Sequence, residues 1–170
     1  PPEGDDRINA YQFASRLAFF LWSSTPDNIL LSAAHRGTLS DPTVLREQID
    51  RMLNDPRSRA FSENFPDQWL HLNQLGEMPP DPEQNPAYYE NNLEAAMKEE
   101  TYQLFRHLLD HNGPIQEFVK SDYTFLNEAL ADHYGIPGVN GDTFQRVALP
   151  AESRRGGLLG HGSVLTVTSN

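Results

Sequence analysis

Apolar positions recur along this chain at three- and four-residue intervals, the spacing that puts them on one face of an α-helix. Ile8, Tyr11, Leu17 and Leu21 predict a first helix ending near Trp22, with Asp5 or Asp6 as its cap. Val44, Leu45, Ile49, Met52 and Leu53 predict another, and Phe61, Phe65, Trp69 and Leu72 a further one, with a kink or break expected at Phe65 because Pro66 follows. Leu93, Met97, Leu104, Phe105 and Leu108 mark the longest helix, running from Asn85-Pro86 to about Asp110. A short helix is expected around Ile115 to Val119, and another from about Phe125 to His133.

Punctuation agrees with periodicity. Thr25-Pro26, Asp41-Pro42, Asp55-Pro56 and Asn85-Pro86 each pair a side chain able to accept from a free N–H of a first helical turn with a proline that needs no partner there. Thr25-Pro26 thus opens a helix through Ala34. Gly37, Gly113 and Gly135 follow apolar runs where a left-handed C-terminal cap is expected. Residues 76–86 carry four prolines and read as a loop. After Gly135 the pattern changes, and Phe144 to Leu149 and Val164 to Thr168 read as extended. The expectation is an all-α fold: an irregular bundle of about six to seven helices over residues 1–140, with an extended, Gly-rich C-terminal tail over residues 141–170.

Composition narrows the function classes. At 170 residues a single domain can bury about 70% of its unfolded surface, so no cross-link is needed. Nine Phe, six Tyr and two Trp supply the core, and Trp22 and Trp69 are both expected in it. A net charge of −11 repels phosphate backbones and anionic lipid heads, so nucleic acid is a poor partner. The densest acidic stretch, seven carboxylates against one lysine between Glu77 and Glu100, reads as solvated surface. The absence of cysteine excludes thiolate metal sites, Cys nucleophiles and Cys-x-x-Cys-His haem attachment within these residues. The longest apolar run, Leu17 to Trp22, has six residues, so no membrane insertion is expected. A start at Pro1 without methionine reads as a piece of a longer protein.

Candidate chemistry is sparse. His107 and His111 are one helical turn apart, with Glu100 on the same flank, and one acid with two imidazoles can hold zinc or iron or approach a haem. The plainer reading is that histidines in a last turn complement the helix dipole. Gly157-x-x-x-x-Gly162 has P-loop spacing, but Ser163 stands where that motif needs lysine. Gly160-His161-Gly162-Ser163 also departs from a nucleophile elbow, so the glycines read as close packing or a hinge. Glu94 and Lys98 read as a surface pair. Tyr88 and Tyr89 are a candidate aromatic platform for a glycan or a peptide.

Arg16-Leu17-Ala18-Phe19-Phe20-Leu21-Trp22-Ser23-Ser24-Thr25-Pro26-Asp27 resembles a domain abundant in planctomycetes, domain of unknown function 1592. The resemblance continues through Arg51-Met52-Leu53-Asn54-Asp55-Pro56-Arg57, Asn64-Phe65-Pro66-Asp67-Gln68-Trp69-Leu70, Asp122-Tyr123-Thr124-Phe125-Leu126-Asn127 and His133-Tyr134-Gly135-Ile136-Pro137. From about Phe144, the Arg154-Arg155-Gly156-Gly157 and Ser163-Val164-Leu165-Thr166 segments resemble the opening of a usual neighbour, domain of unknown function 1588. The resemblance implies a large exported protein, periplasmic or at the cell surface, carrying cytochrome c-like modules elsewhere. Haem c would then belong to the rest of that protein, with no cofactor in these residues. No catalytic residue comes with the resemblance.

Two functional expectations follow. The first is a non-catalytic helical module whose partners are the other domains of its parent protein, with a glycan or protein ligand as a further option. Its framework would be ion-paired: Arg16 and Arg51 lie within apolar helices and need an acid, for which Asp27, Asp55 and Asp122 are the candidates. The second is a contribution to a composite redox or hydrolytic site, with Glu100, His107, His111 and also His133 as ligands or acid–base groups.

Overall fold

A computed structural model describes residues 8–77, 79–150, 153 and 155–169. Among them are eight α-helices, five short 3-10 turns and one two-stranded antiparallel sheet. The fold is all-α in its bulk, as periodicity predicts. No helix among the described residues is long and apolar enough to cross a membrane. The chain divides into two compact units, residues 1–63 and 64–170.

The first unit holds α1 (Ala10–Trp22), α2 (Asn28–His35), α3 (Pro42–Leu53) and the start of α4 (Arg59–Trp69). Ala14, Ala18, Leu21 and Trp22 form the buried stripe of α1 and meet Leu30, Ala33 and Ala34 of α2, with Met52 of α3 beneath. The helix starts follow local chemistry. Asp41 caps α3 with Pro42 in the first turn, and Asp55 with Pro56 opens a 3-10 turn, Pro56–Ser58, ahead of α4. Two caps differ from expectation. Asn9 caps α1 reciprocally with Gln12, and Asp5 and Asp6 lie outside the described residues. Asp27, not Thr25, caps α2, so Pro26 precedes the cap instead of following it.

Asp27 has a second task. Its carboxylate accepts two hydrogen bonds from the Arg51 guanidinium, at 2.7 and 3.2 Å, while also accepting from Leu30 N–H. Burial would raise the Asp27 pKa, but Arg51, Leu30 N–H and the charge of Arg57 together bring it below its ordinary value. Arg57 pairs with Asp55 and holds that carboxyl down at about 2. The Arg57 guanidinium lies 3.5 Å from the centre of the Trp22 ring, whose indole N–H donates to Met52 C=O at 2.9 Å. Arg16 departs from the expected framework. It is exposed and makes no ion pair with a described residue, because it projects from α1 opposite the Ala14–Ala18 stripe.

In the second unit α4 ends, and α5 (Pro86–Glu90), α6 (Leu93–Asp110), β1 (Tyr123–Leu126), α7 (Glu128–Tyr134), β2 (Gln145–Ala148) and α8 (Gly162–Thr168) follow. α6 is the central rod. Its Met97 side packs with Leu126, Leu130 and Ala131, and its Leu104 and Leu108 pack with Tyr123, Phe125 and Leu158. β1 pairs with β2 from Tyr123 opposite Ala148 to Leu126 opposite Gln145.

Six local expectations change here, two of them at helix ends: Asn85 makes no side-chain cap hydrogen bond to α5, and Asn112, not Gly113, takes the left-handed conformation after α6. α4 carries Pro66 within one helix and not at a junction of two, although the ring forfeits the bond that residue 66 would donate to Ser62 C=O. The long helix is broken at Asn91-Asn92, where Asn92 takes φ 48°, a left-handed conformation that asparagine tolerates. Phe125 belongs to a strand, and the following helix starts only after Asn127, which caps it. Val164 to Thr168 is helical, not extended: packing of Ser163 and Val164 into the core overrides the β-preference of its Val and Thr residues.

Candidate functional site

Glu100, His107 and His111 do not converge. Glu100 is 1% exposed and points from α6 into the core, whereas His111 is exposed beyond the helix end. Axial distance explains this: the three share a flank, but at about 1.5 Å of rise per residue His107 and His111 lie roughly 10 and 16 Å further along the helix than Glu100, which Thr124 and Tyr134 hold in the core. No group of three or more His, Asp or Glu residues able to hold a metal occurs among the described residues. His107 and His111 stack with ring centres 4.3 Å apart, and His111 Nδ1 lies 2.9 Å from His107 C=O. His133, on α7, is exposed and sits apart from this pair.

His107 borders an open cleft of about 480 Å³ with Glu117, Lys120, Asp122, Tyr123 and Arg146. Burial, with the nearby charges of His111 and Arg146, lowers its pKa against the opposing pull of Glu117. Tyr123 donates to Glu117 at 2.5 Å, and burial plus that hydrogen bond push its hydroxyl up to about 12. Asp122 is exposed and pairs with no cation among the described residues.

The tightest convergence of polar groups lies where α6 meets β1, α7 and the start of α8. Thr124 Oγ1 donates to Glu100 Oε1 at 2.6 Å, and Tyr134 Oη donates to Glu100 Oε2 at 2.7 Å. Tyr134 in turn accepts from Gly162 N–H at 2.8 Å. Beside Glu100, the Thr101 hydroxyl lies 2.9 Å from His161 Nδ1 and 2.8 Å from Ser163 Oγ. Glu100, Thr101, His161 and Ser163 are each 2% exposed or less.

Proton placement follows from counting. If Ser163 donates to Thr101 and Thr101 donates to His161 Nδ1, the ring proton rests on Nε2, facing Glu100 Oε1 at 3.9 Å. The opposite tautomer would aim a bare lone pair at the carboxylate, so the first assignment is favoured. At that distance Nε2–H forms no hydrogen bond, and it has no other partner among the described residues. Burial drives the His161 pKa below its ordinary value, Glu100 opposes this and Arg155 adds to it. The Arg155 guanidinium stacks 3.8 Å from the centre of the Tyr134 ring and donates to Gly160 C=O. Burial first, then the charge of Glu100, raises the Tyr134 pKa, so its hydroxyl stays a donor.

The Gly-rich segment makes this approach geometrically feasible. A Cβ on Gly162 would sit 2.7 Å from Tyr134 Oη, and one on Gly157, at φ 67°, would sit 2.6 Å from Phe118 C=O. The glycines here are close-packing residues.

Sequence reasoning located Glu100 but not its partners. The usable signal was Glu100-Thr101 on the edge of an apolar stripe, together with a second buried-polar run, His161-Gly162-Ser163. Nothing local joins the two.

Because His161 is buried with a lowered pKa, the unfolded chain takes up the His161 proton at a higher pH than the folded chain does. Stability is therefore complete above about pH 6.5 and falls as the solution is acidified below it, before the carboxylate range is reached. His107 and His133 are lowered too and act in the same direction. Urea unfolding midpoints between pH 5 and 7.5 test this. In His161→Asn, which keeps a polar group near the Nδ1 position, the slope should flatten; an unchanged slope would remove His161 from the account.

Fold and site together define a mostly helical chain whose buried polar network of Glu100, Thr101, His161 and Ser163 is sealed inside its second unit. Residues 8–136 match the model of a family described as PSD4, protein of unknown function (DUF1592), and the chain belongs to that family. No curated protein and no solved structure matches the chain.

Proposed function

We propose that this chain is a non-catalytic docking module of a larger exported protein, with cytochrome c-like modules elsewhere in the same polypeptide. On this reading, residues from about Phe144 begin the neighbouring domain of unknown function 1588, and the second unit offers an apolar face to a domain of its own polypeptide. One observation carries the reading: Ile115, Val119 and Trp69 are 75%, 66% and 51% exposed. They flank Phe118, whose ring meets Trp69 edge-on with centres 6.1 Å apart and lines an apolar recess of about 260 Å³ with Phe105, Leu108 and Ile115. Large apolar side chains gathered around a recess are uncommon on a free surface and mark contact surfaces. The family and resemblance context supports a module that works beside other domains. The sealed Glu100 network supports a framework role for its polar groups, since its hydroxyls are occupied with one another.

Hydroxyl-radical footprinting tests the reading. Trp69 and Ile115 in the 170-residue chain should oxidise readily, and both should be protected several-fold in the parent polypeptide. Equal oxidation in the two samples would refute the docking role.

A further inference from the structure

We infer that the second unit also carries a binding site for a neutral saccharide, in the pocket bounded by α5, the start of α6, the end of α7 and the end of α8. The inference is independent of the docking face, because none of its residues belongs to that surface.

The pocket encloses about 480 Å³, within the range of small-molecule sites. Pro80, Pro86 and Ala87 contribute accessible apolar surface, with the buried Leu93 and Met97 behind them. Gln84, Asn85, Tyr88, His133 and Thr166 add amide, hydroxyl and imidazole groups. This mixture suits a sugar ring, which presents C–H faces to apolar surface and hydroxyls to polar groups around its edge.

Charge decides the ligand class. The chain carries −11 overall, and its most acidic stretch runs past this pocket from Glu77 to Glu100. Yet no Asp, Glu, Lys or Arg is among the described residues lining it. A phosphate or carboxylate would find no cation there, and an amine no counter-ion. His133 does not supply the missing charge near neutrality, because partial desolvation of its ring and the charge of Arg155 keep its pKa below the ordinary value.

A second observation points to a ligand. Tyr88 Oη is buried and has no hydrogen-bond partner among the described residues. Its neighbour Tyr89, packed edge-on at 5.3 Å, donates its own hydroxyl to Pro80 C=O, so only Tyr88 is left unmatched. An unmatched buried hydroxyl costs about 1–3 kcal/mol, which a sugar hydroxyl would recover once the Tyr88 tip turns toward the pocket on binding. Burial and the nearby Glu94 raise the Tyr88 pKa, so the group remains a donor. An extended peptide is the weaker candidate. The pocket is bounded by helices and a loop, with no strand among its lining residues to pair with a peptide backbone.

The test uses the 170-residue chain and saturation-transfer NMR. The probes are glucose, galactose, mannose, N-acetylglucosamine and their β-1,4-linked disaccharides, with glucose 6-phosphate and an acetylated Pro-Pro amide as contrasts. Transfer to a neutral sugar is expected, with none to the phosphorylated one. In Tyr88→Phe the affinity should drop about tenfold, while the thermal midpoint should stay level or rise because the lost hydroxyl had no partner. Thr166→Arg, which places a long cation in the pocket, should abolish transfer. The inference is overturned if no neutral sugar receives saturation, if only the dipeptide does, or if Tyr88→Phe binds as tightly as the parent.

Discussion

Replacing Glu100 by alanine should destabilise the second unit by about 3–5 kcal/mol, the largest effect expected of any single polar substitution in this chain. The carboxylate is 1% exposed and accepts from both Thr124 and Tyr134. Alanine would leave two buried hydroxyl donors without an acceptor, at about 1–3 kcal/mol each, and would open a cavity as well. The damage would spread, because Tyr134 also receives Gly162 N–H and so links α6 and α7 to the start of α8. Glu100→Gln should be milder: one amide oxygen still accepts, but the amide nitrogen meets a hydroxyl donor. The Glu100→Ala/Thr124→Val double variant should lose less than the sum of its parts, since Thr124→Val removes one of the orphaned donors. Urea unfolding of the parent, these three variants and the Thr124→Val single variant measures these differences. A Glu100→Ala loss below about 1 kcal/mol would mean the network is not a structural tie.

The second large effect belongs to the first unit. Trp22→Ala should lose about 3–5 kcal/mol, as is usual for truncating a buried tryptophan. Trp22 is 3% exposed within the core of α1, α2 and α3, and its indole N–H satisfies Met52 C=O. Trp22→Phe keeps an aromatic ring under Arg57 but forfeits that hydrogen bond, so it should fall between the two. Trp69→Ala is the contrast. With Trp69 51% exposed, its loss should be below about 1 kcal/mol in the chain alone. Equal effects at the two tryptophans, read by urea unfolding, would contradict the burial assigned here.

Trp69 illustrates what a helical pattern leaves open. Both tryptophans sit in apolar runs and were expected in the core, but periodicity only says that residues share a face. It does not say that the face is covered. Arg51 and Arg16 make the same point with charge. Both lie in apolar helices; Arg51 reaches Asp27, whereas Arg16 projects from the opposite side of its stripe. The candidate chemistry was legible only in part. Glu100 was visible as an acid beside an apolar stripe, and Tyr88-Tyr89 as an aromatic pair. The pairing of Glu100 with His107 and His111 assumed that residues on one flank share a destination, but two and three turns of α6 separate them along the axis, and Glu100 is held in the core.

What this chain's residues determine unaided is local. Asp41-Pro42 and Asp55-Pro56 open helical turns because the capping carboxylate and the N–H that donates to it lie within three residues of each other, and the 3.6-residue apolar rhythm makes the fold helical. Folding in three dimensions decided the rest. Thr101 and His161 are 60 positions apart, and Val164–Thr168 became a helix against its own strand preference. Contacts of that kind depend on which surfaces are buried together, and burial is a property of the assembled core, not of any one segment.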